Sequence, residues 1–150
     1  MIYKNYLYGA YGSNLNLKQM QARCPLAVPV GTVTVSGLNL VFRGVADVEF
    51  KRDTQVPLGL WKITEDCEQA LDAYEGFPRM YGKETISIKG LQESLGCNKV
   101  LIYTMNSTDI YPPCMSYLNA IKQGYEDFGL DATHLMYAVK DSYARESFLD

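Results

Sequence analysis

Strand-like runs at Ile2 to Tyr11, Val28 to Val35, Leu38 to Arg43, Val56 to Ile63, Glu84 to Lys89 and Lys99 to Met105 constrain this chain more than any other feature. Each is bounded by Gly, Pro, Asn or Asp, the residues that punctuate strands. Helical stripes are fewer and do not fall between every strand pair. Leu17, Met20 and Cys24 repeat at helical spacing before Pro25 stops them, and Cys67, Ala70, Leu71 and Tyr74 follow an i, i+3, i+4, i+7 pattern between Thr64 and Gly76. Cys114, Leu118, Ile121, Tyr125 and Phe128 form a third stripe, opened by Pro112 and Pro113 in its first turn; Asp131 caps a fourth helix running through Leu135 and Val139. This order predicts an α+β fold, a small mixed, mostly antiparallel, barrel-like sheet with helices around it. No repeat, low-complexity tract or linker divides the chain, so one domain over residues 1–150 is expected. At this length a fold hides about two-thirds of the surface its unfolded chain exposes, enough for a core without disulfides or metal.

Charge and rare residues remove whole classes of function. Fourteen Lys plus Arg against 17 Asp plus Glu leave a net charge of −3, with no basic run, which argues against a nucleic-acid binder. An OB-type barrel is disfavoured as well, because no Lys or Arg is interleaved with strand aromatics. No apolar stretch reaches the roughly 20 residues of a membrane span, and Met1 to Tyr11 is too polar for a signal peptide, so a cytoplasmic location is expected. Cys24, Cys67, Cys97 and Cys114 form no CxxC, and they read as buried free thiols. With His134 the only histidine, no zinc site is legible, and a Ser-His or Cys-His mechanism would rest on that one residue of a C-terminal helix. No metal and no cofactor is expected; Gly9 and Gly12 do not complete a GxGxxG fingerprint, and no GK[ST] follows.

Two segments carry more chemistry than structure needs. Tyr11-Gly12-Ser13-Asn14-Leu15 ends the first strand just ahead of a helix whose cap is Asn14 or Asn16. Gly12 permits a tight turn, Ser13 and Asn14 bring short polar side chains, and a helix start presents unpaired N–H groups, a combination suited to a carboxylate or an oxyanion. The plain alternative is an ordinary capped turn. The second segment is Leu71-Asp72-Ala73-Tyr74-Glu75-Gly76. Glu65, Asp66 and Glu68 sit in the first turn of that helix, where the macrodipole favours them, whereas Glu75 sits in the last, where it does not. Gly76 as a left-handed terminator leaves Glu75 beside Tyr74 at the edge of the buried stripe. A carboxyl so placed has a raised pKa and suits proton transfer near neutrality; the alternative is a solvated glutamate paired with Arg79 or Lys83.

Together, the YGSN-L turn after the first strand, the LDxxEG helix end and Tyr81 resemble the γ-glutamylcyclotransferase-like family, with its AIG2-like and butirosin-pathway relatives. Arg43, Gly59-Leu60-Trp61, Ile102-Tyr103, the Pro112-Pro113 helix, Gly124 and Gly129-Leu130 follow in the family's order. The resemblance implies a small mixed barrel with packed helices. It also implies a γ-glutamyl head group bound at Tyr11, Gly12, Ser13, Asn14 and Leu15, and an acid/base at Glu75. Tyr81, Tyr103 and Tyr11 are expected to line the pocket. In the family's reaction the substrate's own α-amine attacks its γ-carbonyl, giving 5-oxoproline and a free amine, so one carboxylate suffices. The expected partner is a small γ-glutamyl compound, with no nucleic acid and no membrane, and with a homodimer left open. A non-catalytic module capturing a small anionic ligand or a protein on the same scaffold is the alternative.

Overall fold

The longest ladder of the fold pairs β2 (Val28–Phe42) with β3 (Ala46–Thr64), from Val28 opposite Lys62 down to Phe42 opposite Ala46. Residues 2–146 are described in a computed structural model; Met1 and residues 147–150, which the expected domain includes, lie outside the described residues. The sequence divides β2 in two and begins β3 only at Val56. The break has a local cause. Gly37, with φ of 85°, is the single β2 residue between the Ser36–Gln55 and Leu38–Phe50 pairs, while residues 51–54 of β3 bulge out opposite it. Thr54 closes the bulge by donating its hydroxyl to the carbonyls of Leu38 and Lys51, at 2.8 and 3.0 Å. Continuous pairing on both sides of an exposed bulge leaves no alternation for a sequence pattern to detect.

Around this hairpin lie β1 (Tyr3–Ala10), β5 (Lys99–Met105) and β4 (Tyr81–Ser87), giving the strand order β2-β3-β1-β5-β4. β1 pairs antiparallel with β3 and parallel with β5, and β4 pairs antiparallel with β5, so the sheet is mixed and mostly antiparallel. It does not close: β2 and β4 are edges, and barrel is a loose description of it. The run from Val56 to Trp61 is buried residue after residue, as is Val100 to Tyr103, the mark of strands covered on both faces.

The helices are α1 (Leu17–Arg23), α2 (Glu65–Glu75), α3 (Leu91–Leu95), α4 (Met115–Phe128) and α5 (Thr133–Glu146). α3 is a single short turn between left-handed Gly90 and Gly96, too brief to show a periodicity. Pro112 and Pro113 stand before the Cys114 cap of α4, outside its first turn. A residue preceding proline is pushed into extended backbone, which keeps Pro112 out of the helix. Asp131 holds the start of α5, accepting from the Thr133 N–H at 2.9 Å and its hydroxyl at 2.6 Å. The thiols are all free; Cys24 and Cys67 are buried as expected, while Cys97 is half-buried and Cys114 exposed. Among the described residues no helix is long and apolar enough to cross a membrane.

The turn after β1 is seated by a single wedge. Leu15, fully buried, is driven between β3 and α4 at two glycines. A Cβ at Gly59 would lie 2.6 Å from Leu15 Cδ2, and one at Gly124 would lie 2.5 Å from Leu15 Cβ and 2.7 Å from the Asn16 nitrogen. No larger residue fits either place. Asn16 completes the clamp, accepting from Gln19 N–H at 3.0 Å as the cap of α1 and donating to the Ala120 carbonyl on α4 at 3.1 Å.

Candidate functional site

The chain leaves β1 at Ala10 and, after Tyr11 and Gly12, forms one 3-10 turn at Ser13–Leu15. Leu15 N–H bonds to the Gly12 carbonyl and Asn16 N–H to that of Ser13, each at 3.0 Å. The first amides of the turn have no acceptor inside it, as helix starts require. The side chains are committed elsewhere. Ser13 Oγ lies 2.9 Å from the Tyr74 hydroxyl, Asn14 Nδ2 donates to the Tyr8 hydroxyl at 3.0 Å, and Asn14 Oδ1 accepts from Arg23 Nη1 at 2.6 Å. Gly12 is needed for close approach: a Cβ there would lie 3.1 Å from Ala46 Cβ and 3.2 Å from the Tyr117 hydroxyl.

Facing the turn is the end of α2. Thr64 starts this helix by accepting from Cys67 N–H, and Gly76, at φ 68° and ψ 38°, stops it with its own N–H on Ala73 and that of Phe77 on Asp72. The stop strands Glu75 half-buried. Neither expected partner reaches it: Arg79 is exposed, and Lys83 donates instead to Glu68 at 2.8 Å and Asp72 at 3.0 Å. Among the described residues Glu75 has no hydrogen-bond or ion-pair partner. Burial pushes its carboxyl up to about 7, and the Arg23 guanidinium pulls partly against that rise.

Turn and helix end open on one cavity of about 190 Å³. Tyr11, Gly12, Ser13, Asn14, Glu75, Tyr81 and Tyr103 all line it; Leu15 does not, because it is wedged into the core between Gly59 and Gly124. The tyrosines form a hydrogen-bonded frame. Tyr11 donates to the Tyr103 carbonyl at 2.6 Å, Tyr103 to Asp72 Oδ1 at 2.6 Å, and Tyr81 to the Ala46 carbonyl at 2.7 Å, while Tyr117 accepts from Ala46 N–H at 3.0 Å. Burial raises all four phenols, so they stay neutral, and Glu75 is the lining group that titrates near neutrality. The arrangement offers a fixed polar wall and one mobile proton.

Sequence reasoning passed over Tyr8, Tyr74, Val45, Ala46, Met80 and Tyr117, which complete the lining. Tyr74 adjoins Glu75 and was within reach of the same argument. Tyr8 reads as one more strand residue, and Tyr117, four before buried Ile121, reads as one more ring on the packed side of α4, so neither carries a local signal. His134 is exposed on α5 and takes no part in the cavity. Among the described residues no group of three or more His, Cys, Asp or Glu side chains is gathered to hold a metal ion.

Residues 8–124 match the model of the family described as gamma-glutamyl cyclotransferase, AIG2-like. Among solved structures, the chain is similar to one described as gamma-glutamyl cyclotransferase, with a TM-score of 0.70 and 23% identity, covering 90% of this chain and 85% of that one. It is similar to an uncharacterized protein from Homo sapiens, with a TM-score of 0.73 and 24% identity over the same shares of the two chains. An AIG2-like protein from Mus musculus follows with a TM-score of 0.56 and 20% identity, covering 75% of this chain and 82% of that one. At these identities the structural likeness concerns the fold. No curated protein matches the sequence.

Proposed function

The chain belongs to the gamma-glutamyl cyclotransferase, AIG2-like family, and from that premise we propose that it cyclises the γ-glutamyl group of a small γ-glutamyl amine or amino acid to 5-oxoproline, releasing the free amine. The observation that carries this reading is Glu75, half-buried and unpaired in a cavity whose opposite wall is the turn after β1. A binding module gains nothing from an acid held at a helix end where burial opposes its charge. A proton shuttle gains a value near 7, where both protonation states are populated.

In this reading the Glu75 carboxylate takes a proton from the substrate's α-ammonium. The freed amine attacks the γ-carbonyl, forming the ring bond, and charge gathers on the carbonyl oxygen. The amides of the turn are the donors for that oxygen or for the α-carboxylate. Glu75, now protonated, passes its proton to the departing nitrogen as the original amide bond breaks, and then takes the second proton from the ring nitrogen, leaving a neutral lactam; that proton ends on the released amine as an ammonium. No enzyme nucleophile and no water is consumed, and the fold contributes chiefly by holding a flexible chain in a ring-closing pose. The same reading has the chain acting as one domain on a small molecule, in the cytoplasm and without a cofactor.

The test is a panel of γ-glutamyl amino acids, γ-glutamyl amines and glutathione, with products resolved. 5-Oxoproline formed in equal amount with the released amine is expected. N-acetylated γ-glutamyl compounds, which lack the nucleophile, and α-glutamyl peptides, which misplace the carbonyl, should stay intact. Release of amine together with free glutamate would instead mark a water-dependent amidase.

A further inference from the structure

Arg23 is the last residue of α1 and lines no part of the cavity, yet it touches both of its walls. Its guanidinium donates from Nη1 to Asn14 Oδ1 at 2.6 Å and from Nη2 to Gln19 Oε1 at 3.1 Å, one turn back on its own helix. The central carbon of the same group lies over the Tyr74 ring, 3.7 Å from its centroid, next to Glu75 in the chain. Only a planar fork serves all three at once; an ammonium has neither the plane nor the paired donors. Its position is set from behind, since Cys24 is buried and its thiol lies 3.6 Å from the Cys67 carbonyl on α2.

We propose that Arg23 is a positioning residue that ties the turn to the end of α2, and that its charge keeps the Glu75 carboxylate available as a base. The proposal rests on the reading of Glu75 as the proton shuttle. Among the described residues, the phenols of Tyr8 on β1, Tyr11 just beyond it, Tyr81 on β4 and Tyr117 on α4 also interact electrostatically with Glu75, and burial keeps each of them neutral. Arg23 is the cation acting on the acid, and it opposes the effect of burial. Its second action is mechanical. Asn14, held by Arg23, donates to the Tyr8 hydroxyl, so the guanidinium orients a ring of the cavity lining through one amide side chain.

The experiment titrates Glu75 in the full chain by carbon NMR of glutamate-labelled protein, the signal assigned by its loss in Glu75→Gln. Arg23→Gln should move the titration upward by about half a unit to one unit, and Arg23→Lys, which keeps the charge, should leave it near the wild-type position. Arg23→Met, whose stem still covers Tyr74, reads the same shift should the Gln variant not fold. In parallel, kcat/KM on γ-glutamyl methylamide is followed from pH 5.5 to 9. The acidic limb of the neutral variants should move with the NMR titration, and the Lys variant should keep the limb while its KM rises by about threefold or more. An unmoved Glu75 titration in a folded neutral variant overturns the proposal. Wild-type protein that makes no 5-oxoproline overturns the shuttle reading instead, and the titration still decides whether Arg23 acts on Glu75.

Discussion

The two walls of the cavity are built on opposite principles. On the turn after β1, Ser13 and Asn14 are buried and every polar side chain is spoken for, by Tyr74, Tyr8 and Arg23. Across the cavity, Glu75 has no hydrogen-bond or ion-pair partner among the described residues and sits in surroundings that resist its charge, with only the Arg23 guanidinium acting against them from a distance. The first wall is rigid and electrically settled; the second is held ready to change state. Catalysis by proton transfer needs both, because a saturated wall fixes geometry without responding, and a lone acid responds without fixing geometry.

The contrast breaks most severely at the acid. Glu75→Gln keeps the side chain's shape and removes its proton, so steady-state kinetics should show kcat lower by about 10²-fold or more, with ligand affinity retained. A Gln variant turning over at a near-normal rate removes Glu75 from the mechanism. For the wild type, activity should fall away as pH drops through about 7, where the carboxylate is lost. A rate that stays flat down to about pH 4.5 contradicts the assignment.

On the opposite wall, Gly12→Val should lower kcat/KM by about 10- to 10²-fold, since the branched side chain intrudes where substrate meets backbone and presses on Ala46 and Tyr117. Thermal unfolding measured alongside separates the two readings of the turn: lost stability with intact affinity marks a purely structural role.

A smaller effect sharpens the electrical difference. Because the folded-state value of Glu75 is raised, the stability associated with it is fully present below about pH 4.5 and is lost as pH rises through about 7. Glu75→Gln should therefore match the wild type near pH 4 and exceed it by about 1–2 kcal/mol at pH 8 in denaturant unfolding. Equal stabilities at both pH values would show that burial does not burden the acid. Smallest of all, Ser13→Ala should change turnover by no more than about threefold. Its hydroxyl bonds to that of Tyr74, a residue 43% exposed, where water can take over the partner.

What the sequence discloses follows the same division between local and distant causes. The LDxxEG helix end is legible because capping at Thr64, acids in the first turn and a left-handed Gly76 are all local rules. β5 runs from Lys99 to Met105 as its pattern predicts. The continuity of β2 through Gly37 is not legible, because a bulge looks like a strand end from inside the chain. Tyr117 and Ala46 meet the turn only through the packing of α4 and the β2–β3 connection, which no neighbouring residue announces. The family resemblance put Leu15 in the site beside its neighbours, while the structure seats it in the core.

The wedge at Leu15 ties the site to a helix more than a hundred residues further along the chain. The strip that places Ser13 and Asn14 is fixed by contacts reaching far along the chain: Asn16 bonds to Ala120 across 104 residues, and Leu17 N–H to Asp127 across 110. Closing spans of that length costs chain entropy and slows folding. A nascent chain that has completed β1, α1 and even Glu75 therefore holds every reacting group of the proposed shuttle and no working arrangement of them, until α4 arrives and Gly124 accepts Leu15. The arrangement of the proposed shuttle is thus conditional on α4, a helix that contributes one phenol of its own, Tyr117, to the cavity.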